Sequence, residues 1–288
     1  QRCVPLAFQS LEDRRVLAAF GTPWPDARDL SISFPDDGVA IGSNENSVHE
    51  LLDQVADRQD WQELVLRSYQ TWAIHADINI GLQEDLNSDF GAPGLQVNDP
   101  RFGEFRIGAF PQADVIANSI PFQAIAGTYS GDLILSSNES FAFHKWENGV
   151  GPVEPTSPDQ RDLFSLLLHE AGNTLGLKDN QIEWSVMFAQ YRGPNGALSQ
   201  EDIEAITALY GQRSDPYESV SNDQIQSSTP LVAVVSDDGQ TTSRIRGSLS
   251  DGSDIDHYRV LIPEGTDAIS VRLNAEGISL LEGRLEVV

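Results

Sequence analysis

His169 and Glu170 are adjacent, and they directly follow an apolar run made of Leu163, Phe164, Leu166, Leu167 and Leu168. That pairing has one obvious chemical use. A zinc site carried on a helix takes one ligand at position i and another at i+4, because one helical turn brings both to the same face. An acid beside the first ligand then serves as general base toward a water on the metal.

The elements that must position this pair can be read around it. The apolar run has helical spacing, with Ser157 and Pro158 as its cap and first residue. Gly172 brings the backbone close to a neighbour, and Gly176 is placed to end the helix. Upstream, alternation of Leu30, Ile32 and Phe34 predicts a first strand, followed by a turn at 35–38. Residues 47–76 read as one long helix that breaks near Asp60. Leu51, Leu52, Val55, Trp61, Leu64, Val65, Tyr69 and Trp72 form its apolar side, and His49 falls on the exposed one. Strands are expected at 78–82, 105–109 and 130–135. Downstream, Ser199 to Asp202 read as a capping box opening a last helix.

Several motifs then fall in order: His169-Glu170, Gly176, Ser185-Val186-Met187 with Tyr191, Leu198-Ser199-Gln200 and Leu209-Tyr210-Gly211. Together they resemble the matrixin branch of the metzincin peptidases, over residues 28–211. The resemblance implies an α+β fold, with a twisted, mostly parallel sheet on two long helices and an active-site helix leading to a Met-turn at Met187. It implies zinc-dependent peptide-bond hydrolysis, with Glu170 as the catalytic acid–base and Tyr191 in the substrate pocket. Its zinc positions fall on His169, Asn173 and Asp179, where the family pattern has three histidines. A carboxylate oxygen binds zinc at about 2.0–2.2 Å and is a tolerable substitute. A neutral amide oxygen is a weak, hard donor for a borderline-soft metal. Two functional readings therefore stand side by side. One is a metalloendopeptidase with a weakened site, and the other is a pseudopeptidase that keeps the fold as a surface adhesion or binding protein.

The same resemblance assigns 130–135 to the strand edging the substrate cleft. It puts Asp77, Asp132 and Glu139 at positions similar to calcium ligands, with oxygen donors suited to that hard cation. The alternative is that these acids are solvated surface residues. The family's structural zinc is not expected, since no histidine lies between His75 and His144 and Ile134 occupies a ligand position.

Composition narrows the classes. The 288 residues carry 44 acidic and 18 basic side chains, a net charge of −26. Such a surface repels nucleic acid and anionic membranes and suits calcium. No apolar run approaches the roughly 20 residues of a membrane span. Cys3 is the single cysteine, so no internal disulfide forms. Residues 11–19, LEDRRVLAA, resemble the N-terminal export-associated motif of planctomycete-type bacteria, which implies a secreted or cell-surface bacterial protein. The domain reading is an export segment at 1–27, the matrixin-like domain at 28–211, a polar linker at 212–230 and a small β-sandwich at 231–288. In that last part Ser253-Asp254-Ile255-Asp256-His257-Tyr258 resembles the bacterial pre-peptidase C-terminal domain, and the chain stops within what reads as a strand. The expected partner is a protein or peptide substrate. The sequence does not specify an oligomeric state.

Overall fold

The computed structural model describes residues 21–144, 160–215, 217, 220–235, 241–250, 253–275, 279 and 283–288. The expected segments at 1–20, including Cys3 and the export-like motif, and Ser157 and Pro158 lie outside the described residues.

A five-stranded sheet organises the first part of the chain. Strands β1 (Leu30–Ser33), β4 (Ile80–Leu82), β5 (Phe105–Phe110) and β7 (Leu133–Ser136) are mutually parallel, and β6 (Ala117–Ser119) pairs antiparallel with β7. The order across the sheet is β4-β1-β5-β7-β6. Between β1 and β4 come the hairpin β2 (Ala40–Ile41) and β3 (Asn44–Glu45), then helices α1 (Val48–Leu52) and α2 (Arg58–Ala73). After β7 follow the short pair β8 (Phe141–Ala142) and β9 (Arg161–Asp162), then α3 (Leu163–Thr174) and α4 (Gln200–Tyr210). This mostly parallel sheet packed on long helices is the α+β architecture expected from the motifs.

Side-chain alternation along β7 sorts its residues to the two faces. Leu133 and Leu135 join the main core with Phe105 and Ile107 of the sheet, Trp61, Tyr69 and Trp72 of α2, and Phe164, Leu167 and Leu168 of α3. Ile134 points the other way, into a smaller cluster with Val39, Ile41 and Phe90. The buried rings dominate this core. Each large side chain withdrawn from water adds about 1.5–3 kcal/mol, and Trp61, Tyr69 and Trp72 are all fully buried.

Three expectations are corrected. The break in the long helix falls at residues 53–57, before Asp60. Asp57 caps α2 in an extended conformation, and the Asp53 carboxylate takes hydrogen bonds from Arg58 and, at 2.8 Å, from Trp61 Nε1. As a separate short helix, α1 folds inward, so His49 is buried at 7 % exposure with its ring 5.6 Å from that of Trp61. Finally, the strand predicted at 130–135 is β7 and lies inside the sheet. The edge belongs to β6, whose three residues carry no periodic signal.

Beyond Gly211 the described residues form two short ladders, β10 (Thr229–Pro230) with β13 (Tyr258–Arg259) and β11 (Val234–Val235) with β12 (Thr241–Thr242). Among the described residues, neither apolar cluster draws a member from this region, and Val232, Leu261 and Val287 stand exposed.

Candidate metal centre

Helix α3 is fixed at both ends by bonds to neighbouring elements. Its cap is Asp162, whose Oδ2 accepts from the Ser165 backbone N–H at 2.9 Å and its hydroxyl at 2.6 Å. The other carboxylate oxygen of Asp162 lies 2.8 Å from His144 Nδ1. At the far end, Gly176 takes a φ of +97°, as the sequence predicted for a helix stop. The carbonyls left over there have partners: Trp24 Nε1 donates to Thr174 O at 2.9 Å, and the Tyr210 hydroxyl donates to Leu175 O at 2.7 Å. In the middle, Trp72 Nε1 donates to Leu168 O at 2.8 Å and locks α3 to α2.

The Met-turn runs against the same helix. Asn180 N donates to Met187 O at 2.7 Å, and Ala189 N donates back to Asn180 O at 3.1 Å. Met187 is buried directly on Gly172; a Cβ at that glycine would stand 2.5 Å from its sulfur. This is why position 172 carries no side chain. The turn is fastened from the other side by Asp202, the capping-box acid of α4. Its buried carboxylate accepts from the Ser185 hydroxyl, from Val186 N at 2.9 Å and from Ser199 N at 2.9 Å.

The turn in turn sets the histidine. The Val186 carbonyl lies 2.8 Å from His169 Nδ1 and can only accept, so Nδ1 carries a proton, and Nε2 presents its lone pair when the ring is neutral. Asp179 faces that nitrogen, with Oδ1 at 3.3 Å. The distance is long for a charge-assisted hydrogen bond, which runs about 2.7–2.9 Å. It equals the edge of a zinc tetrahedron, since two donors about 2.0–2.1 Å from the metal stand about 3.3–3.4 Å apart. Asn173 lies one turn after His169, and its amide helps hold the Asp179 pKa low. Its Oδ1 is buried without a partner.

The charges respond to this packing. For His169, burial opposes protonation, but Asp179, Glu170 and the Val186 carbonyl together raise its pKa above the ordinary 6.5. The hydrogen bond to His169 holds Asp179 below the usual carboxylate range against a desolvation penalty. Glu170 is buried at 8 % exposure, and its Oε2 accepts from the Ser119 hydroxyl at 2.6 Å.

These donors fit a tetrahedral cation. One imidazole nitrogen and one carboxylate oxygen stand at ligand spacing, and an orphaned amide oxygen sits on the neighbouring turn. Among the described residues no three His, Cys, Asp or Glu side chains converge, and that amide is the third protein donor the site offers there.

Residues 105–211 match the matrixin peptidase family. Over that span the chain is matrixin-like, of metallopeptidase type. The matched span contains the antiparallel edge strand β6, helix α3 and the turn at Met187 described above. The chain is similar to human matrix metalloproteinase-25, 32% identical over 113 residues, which covers 35% of this chain and 19% of the relative. It is similar to rat stromelysin-2, 42% identical over 60 residues, covering 19% and 13%. It is also similar to the hatching enzyme of Paracentrotus lividus, 38% identical over 55 residues, covering 18% and 9%. The matches thus span no more than about a fifth of the length of these relatives.

Within the matrixin-type domain, His169, Glu170, Asn173, Asp179 and Met187 are brought together. Tyr191 is half-buried nearby, its hydroxyl oxygen accepting from Asp162 N at 2.8 Å. The three acids read as calcium positions are not gathered. Asp77 pairs with Arg28 at 2.6 Å, and Glu139 lies 3.9 Å from Arg161. Asp132 is buried with both oxygens unpartnered, and burial pushes its pKa well up. Among the described residues the three do not form one cluster with each other. Four residues that organise the site escaped the sequence reading: Ser119, Asp162, Val186 in its carbonyl role, and Asp202 as support for the Met-turn. Only Asp202 had a signal, as the last position of the capping box.

Proposed function

We propose that this protein is a secreted or cell-surface metalloendopeptidase of matrixin type, acting on protein or peptide substrates with zinc held by His169, Asp179 and Asn173. One observation carries the reading: His169 Nε2 faces Asp179 Oδ1 at the 3.3 Å edge of a zinc tetrahedron, beside a buried glutamate. Zinc bound there supplies Lewis acidity toward a peptide carbonyl and lowers the pKa of a water. The chain's own residues do the rest. His169 is oriented through Nδ1 by Val186. Glu170 takes a proton at its carboxylate from the attacking water and returns it to the leaving amine nitrogen. Strand β6 is last in the sheet order, and a sheet edge offers its backbone groups to an extended peptide. Asn173 limits the site, because a neutral amide oxygen holds zinc less firmly than imidazole. The export-like segment at 11–19 and the net charge of −26 support an extracellular setting.

A second reading, a pseudopeptidase serving adhesion or binding, is favoured by a different observation. His169 already faces the Asp179 carboxylate at 3.3 Å, and Asp179 raises the proton affinity of His169. These two side chains can pair with each other without a metal ion. Peptide hydrolysis by the zinc-supplemented chain, beside Glu170→Gln and Asn173→His, separates the two. Glu170-dependent cleavage by the parent supports the peptidase. Cleavage by the Asn173→His chain alone supports the pseudopeptidase.

A further inference from the structure

The Glu170 carboxylate does not stand alone on α3. Its Oε2 accepts a 2.6 Å hydrogen bond from the hydroxyl of Ser119, fifty-one residues earlier, on the antiparallel edge strand. The Ser119 backbone is registered opposite Leu133 of β7, so the sheet fixes where this hydroxyl sits. Glu170 is buried, and its Oε1 has no hydrogen-bond partner among the described residues. One oxygen is thus held and the other is left for chemistry. A glutamate side chain with three rotatable bonds loses this orientation when its anchor is removed, and a proton acceptor must lie within hydrogen-bond reach of its substrate.

We propose that Ser119 is the positioning residue for Glu170: its hydroxyl clamps Oε2 to the edge strand and aims Oε1 at the reacting water. The proposal rests on the peptidase reading for its role in turnover, but the clamp itself is a contact that can be tested without turnover.

The test uses Ser119→Ala and Ser119→Thr, each in the parent chain and in the Asn173→His chain. The expected result for Ser119→Ala is a kcat about 10-fold lower with KM within about twofold, as for loss of one charge-assisted hydrogen bond made to the acid–base. Zinc content should stay unchanged, and Ser119→Thr, which keeps the hydroxyl, should restore kcat. Independently, the Glu170 carboxylate stretch is read by infrared difference against Glu170→Gln in metal-free protein. It should shift in Ser119→Ala and return in Ser119→Thr. If only the Asn173→His chain hydrolyses, the peptidase reading of the parent fails while the Ser119 proposal is still judged there. An unmoved carboxylate band, or an unchanged kcat in whichever chain hydrolyses, overturns the proposal.

Discussion

His169 and Asp179 meet across the Gly176 turn with Nε2 and Oδ1 3.3 Å apart. Neither side chain sets that distance by itself. The imidazole is held from behind by the Val186 carbonyl, at 2.8 Å from Nδ1, and the carboxylate is placed by the chain that leaves the turn at Gly176. The weak point of the site is therefore a donor type, not a position.

Replacing that donor should repair the site. Asn173→His puts an imidazole one turn after His169 on the same face, and zinc should bind more than about 100-fold tighter than in the parent. First-shell donors matter more than second-shell partners, whose loss typically costs about 10- to 100-fold. Competition titration with a chromophoric chelator checks it. Equal affinities would mean that residue 173 does not face the ion.

Gly172 is the point where α3 touches the Met-turn and α2 together. A methyl there would lie 2.5 Å from Met187 Sδ and 2.8 Å from Trp72 Cζ2. Gly172→Ala should cost about 1–3 kcal/mol, as overpacking does, despite alanine's better helix propensity. Urea unfolding would show it as a lower midpoint with an unchanged slope.

The matrixin-type core was legible in the sequence because its signals are local. The apolar run, the glycine stop and the Ser-Val-Met turn each sit within a few residues, and all three reappear in the fold. What was missed is long-range. Ser119 gains meaning only when β6 pairs with β7 opposite α3, and three residues without alternation give no strand signal. His49 falls on the other face than expected because the break lies at 53–57 and not near Asp60, so α1 is a separate helix that turns inward. Asp162 as the cap of α3 was passed over for Ser157 and Pro158, whose composition suits a helix start but which precede the observed first turn. The alternating apolar residues after 230 suggested a packed β layer. In the described residues they pair only in two-residue ladders, so period-two patterning alone did not specify long strands.

Asp202 links the last helix to the Met-turn, accepting from Ser185, Val186 and Ser199. Asp202→Ala leaves those donors buried and unpaired, at about 1–3 kcal/mol each for the worst placed. The expected loss is about 3 kcal/mol, accompanied by weaker zinc retention because Val186 no longer fixes His169. Thermal unfolding and metal analysis of the same sample would check both.

His49 gives the fold an acid sensitivity. Burial beside Trp61, with Arg58 next in effect, lowers its pKa below 6.5, against the opposing pull of Asp37, Asp36 and Asp53. A histidine depressed in the folded state contributes full stability above its unfolded pKa, lost as pH falls from 6.5 through the folded value. Stability should therefore drop between about pH 7 and 5, and His49→Leu should flatten that part of the profile. Denaturant unfolding of both chains across that range is the check. Parallel profiles would contradict the assignment.

The most direct test of the central claim is the zinc bound per chain after dialysis against a small excess of the metal, for the parent beside His169→Ala and Asp179→Ala. The account predicts about one zinc in the parent and little in either variant, since each removes a donor from a site that has only one weak member to spare. A parent chain without zinc, or variants that retain it fully, would contradict the claim that His169 and Asp179 form a metal centre.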